Sequence, residues 1–280
     1  MRLFGLTLAT LIAFAANSVL NRAALAGEGM DPAVFTMIRM ISGAVMLGAL
    51  VRLRGARLPV VLRQGSVASA AALLIYAVAF SFAYITLDAG IGALVLFAGV
   101  QLTMFTGSIL RGDMPGAWRW IGSALGLGGL GILFLPGAES PAAWGVGLML
   151  IAAVGWGIYS LRGQATTQPL VATAANFILA APVSLALILL GSDVPSWGGV
   201  ALAVASGAIA SGLGYAIWYS VLPHLDASLA AVAQLTVPII ALAGGVVFLG
   251  EVATLTFALA SAMILGGVAL ALYGPRLRRI

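Results

Sequence analysis

The sequence predicts an all-α polytopic membrane protein, with ten transmembrane helices arranged as two inverted five-helix repeats and both termini cytoplasmic. Three observations carry this. The chain of 280 residues is 62% hydrophobic and only 8% charged, whereas a soluble domain is about 25% charged. Its apolar residues fall into ten long, continuous stretches. The second half repeats the first at a nearly fixed offset. A mean hydropathy of +1.14 and 21 charged side chains cannot cover a soluble surface, so lipid is the expected solvent. That sets aside soluble enzymes, nucleic-acid binders and secreted scaffolds. The sequence pI near 10.2 is not a nucleic-acid signal, because only 13 basic residues produce it and nearly all sit between the apolar stretches.

A bilayer core about 30 Å thick needs roughly 20 apolar residues per helix. The expected spans, numbered 1 to 10, are 3–25, 32–51, 66–87, 89–110, 119–135, 144–161, 170–190, 198–222, 227–249 and 254–273. The connections between them are too short to hold a soluble domain. Span 1 is too long for the apolar region of a cleaved signal peptide, and it runs on through Asn17, Asn21 and Arg22 without a small-residue cleavage site. The runs are continuous rather than alternating, which argues against a β-barrel.

Arginine placement orients the chain. All 13 basic residues are Arg. With the N-terminus inside, 11 of them fall in cytoplasmic segments: Arg2, Arg52, Arg54, Arg57, Arg63, Arg111, Arg119, Arg162, Arg276, Arg278 and Arg279. Arg22 then ends span 1 on the outer side, and Arg39 lies within span 2.

The repeat is gapless where it is clearest. Asp88 and Ala89 recur as Asp226 and Ala227, Gly112 and Asp113 as Gly250 and Glu251, and Ser123 and Ala124 as Ser261 and Ala262. Gly128 and Gly129 recur as Gly266 and Gly267, all at an offset of 138 residues. Nearby offsets match Gly5 with Gly145, Pro32 with Pro169, and Arg39 with Asn176. The expected units are residues 1–137 and 138–280. Five helices per unit is an odd number, so the second enters the membrane from the opposite side. Many secondary transporters are built this way, with the substrate site near the midplane between the repeats.

Intramembrane polar groups are costly and default to functional hypotheses. Arg39 is foremost. Its guanidinium keeps its proton, so it either clamps a substrate carboxylate, pairs with Asp31, Asp88 or a carbonyl, or snorkels to the outer interface. Tyr76, Phe80 and Tyr84 fall on one face of span 3 at i, i+4 and i+8. Trp156 and Tyr159 in span 6, and Tyr215, Trp218 and Tyr219 in span 8, are further candidates for a cavity lining. Tyr84 and Tyr219 lie near the interfaces and also suit an aromatic belt. Asn17, Gln101, Asn176 and Gln234 either hydrogen-bond between helices or face a zwitterion. The Gly, Ala and Ser residues read as close-packing surfaces. Pro182 and Pro238 are expected to bend spans 7 and 9.

What is missing narrows the chemistry further. Cys is absent and His224 is the single histidine, so no metal site and no cofactor are expected. A membrane serine protease fails as well: Ser211 and His224 on one helix stand roughly 20 Å apart at about 1.5 Å per residue. No enzyme activity is expected.

With these features in place, the chain resembles the EamA-type branch of the drug/metabolite transporter superfamily over its whole length. The local marks are Pro32 through Arg39, Pro238, Gly250 with Glu251, and Gly266 with Gly267. One departure is that Val100, not proline, is the repeat partner of Pro238. The resemblance implies a multi-pass protein of the bacterial inner membrane that exports small metabolites, and within the branch it points to the exporters of aromatic and other amino acids. The expected partners are a small-molecule substrate and the lipid bilayer, with no nucleic acid, and a monomer is expected. The small four-helix multidrug relatives carry a Glu in helix 1, which this chain lacks, and no acid falls mid-span. Facilitated export without ion coupling is therefore expected. The alternative is export of sugar phosphates, lipid-linked sugars or another small metabolite, although only Arg39 and Arg22 are placed to meet a phosphate.

Overall fold

A computed structural model of the chain describes residues 2–110, 112, 116–133, 141–163, 166–189, 191, 194–221, 224, 233–234 and 236–277. Its described residues are helical, with no strand among them. The helices are α1 (Arg2–Gly27), α2 (Pro32–Leu53), α3 (Val67–Ala83), α4 (Ala89–Leu110), α5 (Ala117–Leu133), α6 (Ala143–Gly163), α7 (Pro169–Leu189), α8 (Trp197–Val221), α9 (Val237–Leu249) and α10 (Leu255–Leu277). A short helix, Leu58–Arg63, joins α2 to α3. By length and apolarity α1, α2, α4, α6, α7 and α8 can each cross a membrane; α3 and α9, and the Leu255–Ala271 stretch of α10, are apolar but shorter. The predicted start of span 9, residues 227–232, lies outside the described residues.

Local chemistry sets the helix ends. Pro32 opens α2, where its missing N–H costs nothing, and the Asp31 carboxylate accepts from the N–H groups of Ala33 and Val34 at 2.8 and 3.1 Å. Ser66 and Ser196 cap α3 and α8 in the same way. Gly250, at φ 69°, supplies the left-handed residue that ends α9. Pro238 falls in the first turn of α9 as described, not in its interior, so it starts this helix rather than bending it. Pro182 lies inside α7, and the helix tightens to 3₁₀ geometry over Leu185–Leu189 just beyond it. π-helical turns occupy Ala23–Gly27 and Ala205–Leu213.

Packing is dominated by helices from opposite halves of the chain. The pairs are α5 with α10, α3 and α4 with α6, α2 with α7 and α8, and α1 with α8 and α9. If each helix is exchanged for the one five places along, α1–α9 becomes α6–α4, α1–α8 becomes α6–α3, and α2–α8 becomes α7–α3, and all of these contacts exist.

Small residues make the approach possible. A Cβ on Gly122 would strike the Gly267 carbonyl, and a Cβ on Gly267 would strike that of Gly122. Side chains there would force α5 and α10 apart, and overpacking of this kind costs typically 1–3 kcal/mol. We expect Gly122→Val to lower the Tm of the purified protein, whereas Gly126→Ala, at a position with open space around it, should leave it unchanged. Thermal unfolding followed by intrinsic fluorescence in detergent checks both.

Candidate functional site

Among the described residues, the first of the large, fully buried side chains by volume is a charged one. Arg39 is 2% exposed, and neither expected acid reaches it. Asp31 caps α2, and Asp88 pairs with Arg22 at 3.4 Å. Instead, Arg39 Nη2 donates to the Tyr76 hydroxyl at 3.1 Å, and its Cζ lies 5.3 Å from the Tyr76 ring centre and 5.1 Å from that of Phe80. Nη1 is buried with no hydrogen-bond acceptor. Cation–π contacts are worth about 0.5–2 kcal/mol each, against several kcal/mol for burying an ion. The idle donor adds about 1–3 kcal/mol.

An aromatic stack extends from this charge. Tyr76 packs on Trp156 at 4.9 Å, and Trp156 stacks on Tyr159 at 5.4 Å and on Tyr215 at 5.5 Å. Phe80 meets Tyr84 edge-on at 4.8 Å. The rings come from α3, α6 and α8, so both halves of the chain contribute. Two glycines set the spacing: a Cβ on Gly155 would press on the Ala72 carbonyl and the Tyr76 backbone, and one on Gly207 would strike Ser42 and the Arg39 carbonyl. Tyr159 donates to Thr173 at 3.2 Å, and Thr173 donates to Tyr219 at 3.3 Å.

Of the sequence candidates, Arg39, Tyr76, Phe80, Trp156, Tyr159 and Tyr215 are thus brought together. The others are not. Trp218 packs on Phe14 in a separate small cluster. Asn17 accepts from Ser206 at 2.8 Å and Ser211 at 3.4 Å, in a buried network that continues through Asn21 to Ser81. Asn176 borders the stack through a side-chain hydrogen bond with Tyr159, and it also accepts from the Ser66 N–H at 3.0 Å and so fixes the entry to α3. Gln101 and Gln234 are half-buried on α4 and just ahead of α9.

Two groups of residues were missed. Tyr84, placed with the aromatic belt by its position, is fully buried, because Gly92 leaves room for its ring. Asn21, Ser81, Ser206 and Ser211 complete the Asn17 network; the one sequence signal was Asn21, a helical turn beyond Asn17.

The described cavity, about 610 Å³, lies elsewhere. It sits between the end of α1, the start of α4 and the α9–α10 turn, and is lined by Arg22, Asp88 and Glu251 among others. Arg22 donates to the carbonyls of Tyr84 and Ile85 and reaches within 4.0 Å of Glu251. The Glu251 side chain, 6% exposed, accepts from the Ala89 N–H at 2.8 Å and so caps α4 from another part of the chain. Its second oxygen is buried without a donor. Among the described residues, no three His, Asp or Glu side chains converge on a metal-sized site.

A bundle of apolar helices of this length is the build of a multi-pass membrane protein rather than of a soluble fold. Residues 143–273 match the model of the EamA-like transporter family, and the chain carries the long apolar helices of a multi-pass membrane protein. The Pseudomonas aeruginosa protein PA1977 is 45% identical over 276 residues, 98% of this chain and 95% of that protein. The Escherichia coli K12 inner membrane transporter YedA is 32% identical over 146 residues, 51% of this chain and 47% of that protein. A protein of known crystal structure, 24% identical, matches with a TM-score of 0.65 over 97% of this chain and 99% of its own, and shares the fold.

The Glu251 carboxyl has a testable consequence. Burial raises its pKa above the usual 4.5; the Ala89 N–H opposes this, Asp88 adds to it, and Arg22 lowers it again. The folded state therefore holds this proton to higher pH than the unfolded chain does, and stability falls as pH rises from the usual carboxylate range through the raised value. Glu251→Gln removes the titration. Its Tm relative to wild type should increase from pH 4.5 to pH 7, and parallel Tm–pH curves for the two proteins would refute this account.

Proposed function

We propose that this transporter exports neutral, bulky amino acids, aromatic ones included, across the bacterial cytoplasmic membrane by alternating access. The observation that carries the reading is Arg39, a buried cation with an idle Nη1 donor at the head of an aromatic stack. A carboxylate is the natural acceptor for that donor, and the rings suit a bulky apolar side chain. The sequence's resemblance to the branch's exporters of aromatic and other amino acids points the same way, and the inner-membrane location of YedA supports the membrane assigned. The protein works as a monomer and uses no cofactor.

Ten helices crossing the membrane as inverted repeats, residues 1–137 and 138–280, with both termini in the cytoplasm, belong to the same reading. It is supported by the arginine distribution, the 138-residue offset and the exchange pattern of the helix pairs. Reporter fusions after Arg63 and after Glu139 should report opposite sides of the membrane. The same side for both would end the topology.

In proteoliposomes, uptake of labelled phenylalanine, methionine or threonine should be saturable, and Arg39→Gln should reduce it at least tenfold. Flux of a sugar phosphate with none for any amino acid would replace this reading with the alternative. Among the described residues, the acids are Glu28, Asp31, Asp88 and Glu251, and all of them lie outside the membrane-spanning runs. Transport is thus facilitated, and initial uptake should not respond to an imposed pH gradient or to exchanging sodium for potassium. Concentrative uptake that appears only under one of those gradients would show a coupling ion.

A further inference from the structure

The neighbours of Arg39 define which part of a substrate the site can read. Its guanidinium is a full positive charge in a buried place, and each described acid is engaged elsewhere. Glu28 accepts from Ser196 at 2.8 Å, Asp31 caps α2, Asp88 pairs with Arg22, and Glu251 caps α4. The hydroxyls around the stack are neutral and bonded to one another: Tyr159 to Thr173, Thr173 to Tyr219, and Tyr76 to Arg39 itself. Ring faces are the other places where a cation finds electrostatic compensation beyond neutral acceptor oxygens. Those of Tyr76 and Phe80 already hold the guanidinium, and Trp156 is stacked between Tyr159 and Tyr215 at interplanar angles of 29° and 17°.

The site therefore offers one positive charge, one idle donor and apolar faces, with no described carboxylate to balance an ammonium. A monoanion neutralises it. A zwitterion pairs its carboxylate with the guanidinium but leaves a single net positive charge, because it brings a second positive charge close to the guanidinium, away from water, where like charges repel strongly. We propose that the Arg39 site recognises its substrate by the carboxylate alone, so that aromatic monocarboxylates lacking an ammonium, arylalkanoates and aromatic 2-oxo acids, bind at least as tightly as the corresponding amino acids. The proposal rests on the reading of this cluster as the substrate site.

The test uses the full chain in lipid nanodiscs, with titrations of L-phenylalanine, 3-phenylpropionate and phenethylamine at neutral pH followed by calorimetry. These three probes share the ring and differ only in their charged groups. On the wild-type protein, 3-phenylpropionate should bind as tightly as phenylalanine or more tightly, and phenethylamine at least thirtyfold more weakly. Phenylalanine binding tenfold or more tighter than 3-phenylpropionate, with both weakened by Arg39→Gln, would overturn this proposal and leave the amino-acid reading standing. Phenylalanine binding that is unchanged in a folded Arg39→Gln protein, or no binding by either acid, would overturn both. Where Arg39→Gln does not fold, Arg39→Lys keeps the charge and loses the planar fork. It should weaken both acids by the same factor, and a loss confined to phenylalanine counts against the proposal.

Discussion

Burying Arg39 constrains everything placed around it. A guanidinium cannot escape the cost of desolvation by losing its proton, as a buried lysine or carboxylate can. Its five N–H donors must find acceptors, and its charge must find compensation. Here Tyr76 provides an acceptor, and Tyr76 and Phe80 provide two ring faces. Both residues sit on one face of α3, one helical turn apart, so α3 must present that face to α2. Once Tyr76 is placed, Trp156 and Tyr215 follow by ring contact, which draws α6 and α8 to the same point. The compensation remains incomplete at Nη1, in a structure whose other buried polar side chains are almost all satisfied. An unmet donor of this kind is stable only if the surrounding packing tolerates its cost, and a bound anion removes that cost.

Packing in lipid cannot rely on the hydrophobic effect between helices, because the solvent is as apolar as the side chains. Backbone approach replaces it, and the glycines show where. Gly155 brings α6 against the Tyr76 backbone, Gly207 brings α8 against the Arg39 carbonyl, and Gly122 with Gly267 closes α5 on α10. The first two glycines serve the site as much as the fold, since a side chain at either would push apart the helices that carry the arginine and the rings. The nine-residue π-helical segment of α8 spans Gly207, Ser206 and Ser211. Widened turns of this kind recur at functional sites, and this one directs two serine hydroxyls at Asn17 while α8 passes close to Arg39.

Much of this was legible in the residues. Continuous apolar runs located the helices, because in lipid every backbone group must be bonded within its own helix. The shared face of Tyr76 and Phe80 followed from helical spacing, and the position of Arg39 within span 2 from the apolar run around it, while its burial on those two rings did not. Three further things did not follow. Tyr84 looked interfacial because depth was judged from distance to the end of the span, and the space vacated by Gly92 on another helix is invisible to that measure. Trp218 was grouped with Tyr215 because three residues separate them, yet it turns toward Phe14 on α1. Glu251 read as a loop acid, but the helix start that it caps lies 162 positions away in the chain. Each miss depends on which helix lies alongside. A single sequence records periodicity along one helix, not the identity of its neighbour.

Scaffold and chemistry also obey different symmetries. Helix pairs exchange into one another under the five-helix shift, as an internal repeat requires of backbones that must pack alike. The polar side chains do not. Arg39 and Asn176 share a position at the 137-residue offset, but one puts a charge onto the rings of Tyr76 and Phe80 while the other, neutral, bonds the Ser66 N–H and Tyr159. Backbone pairing tolerates this because either side chain leaves the helix surface at the same position. Binding does not tolerate it, because one half supplies the cation while the other supplies Trp156, Tyr159 and Tyr215. A site shared in this way needs both halves in contact to be complete, so any motion that separates them takes the charge away from much of its aromatic wall.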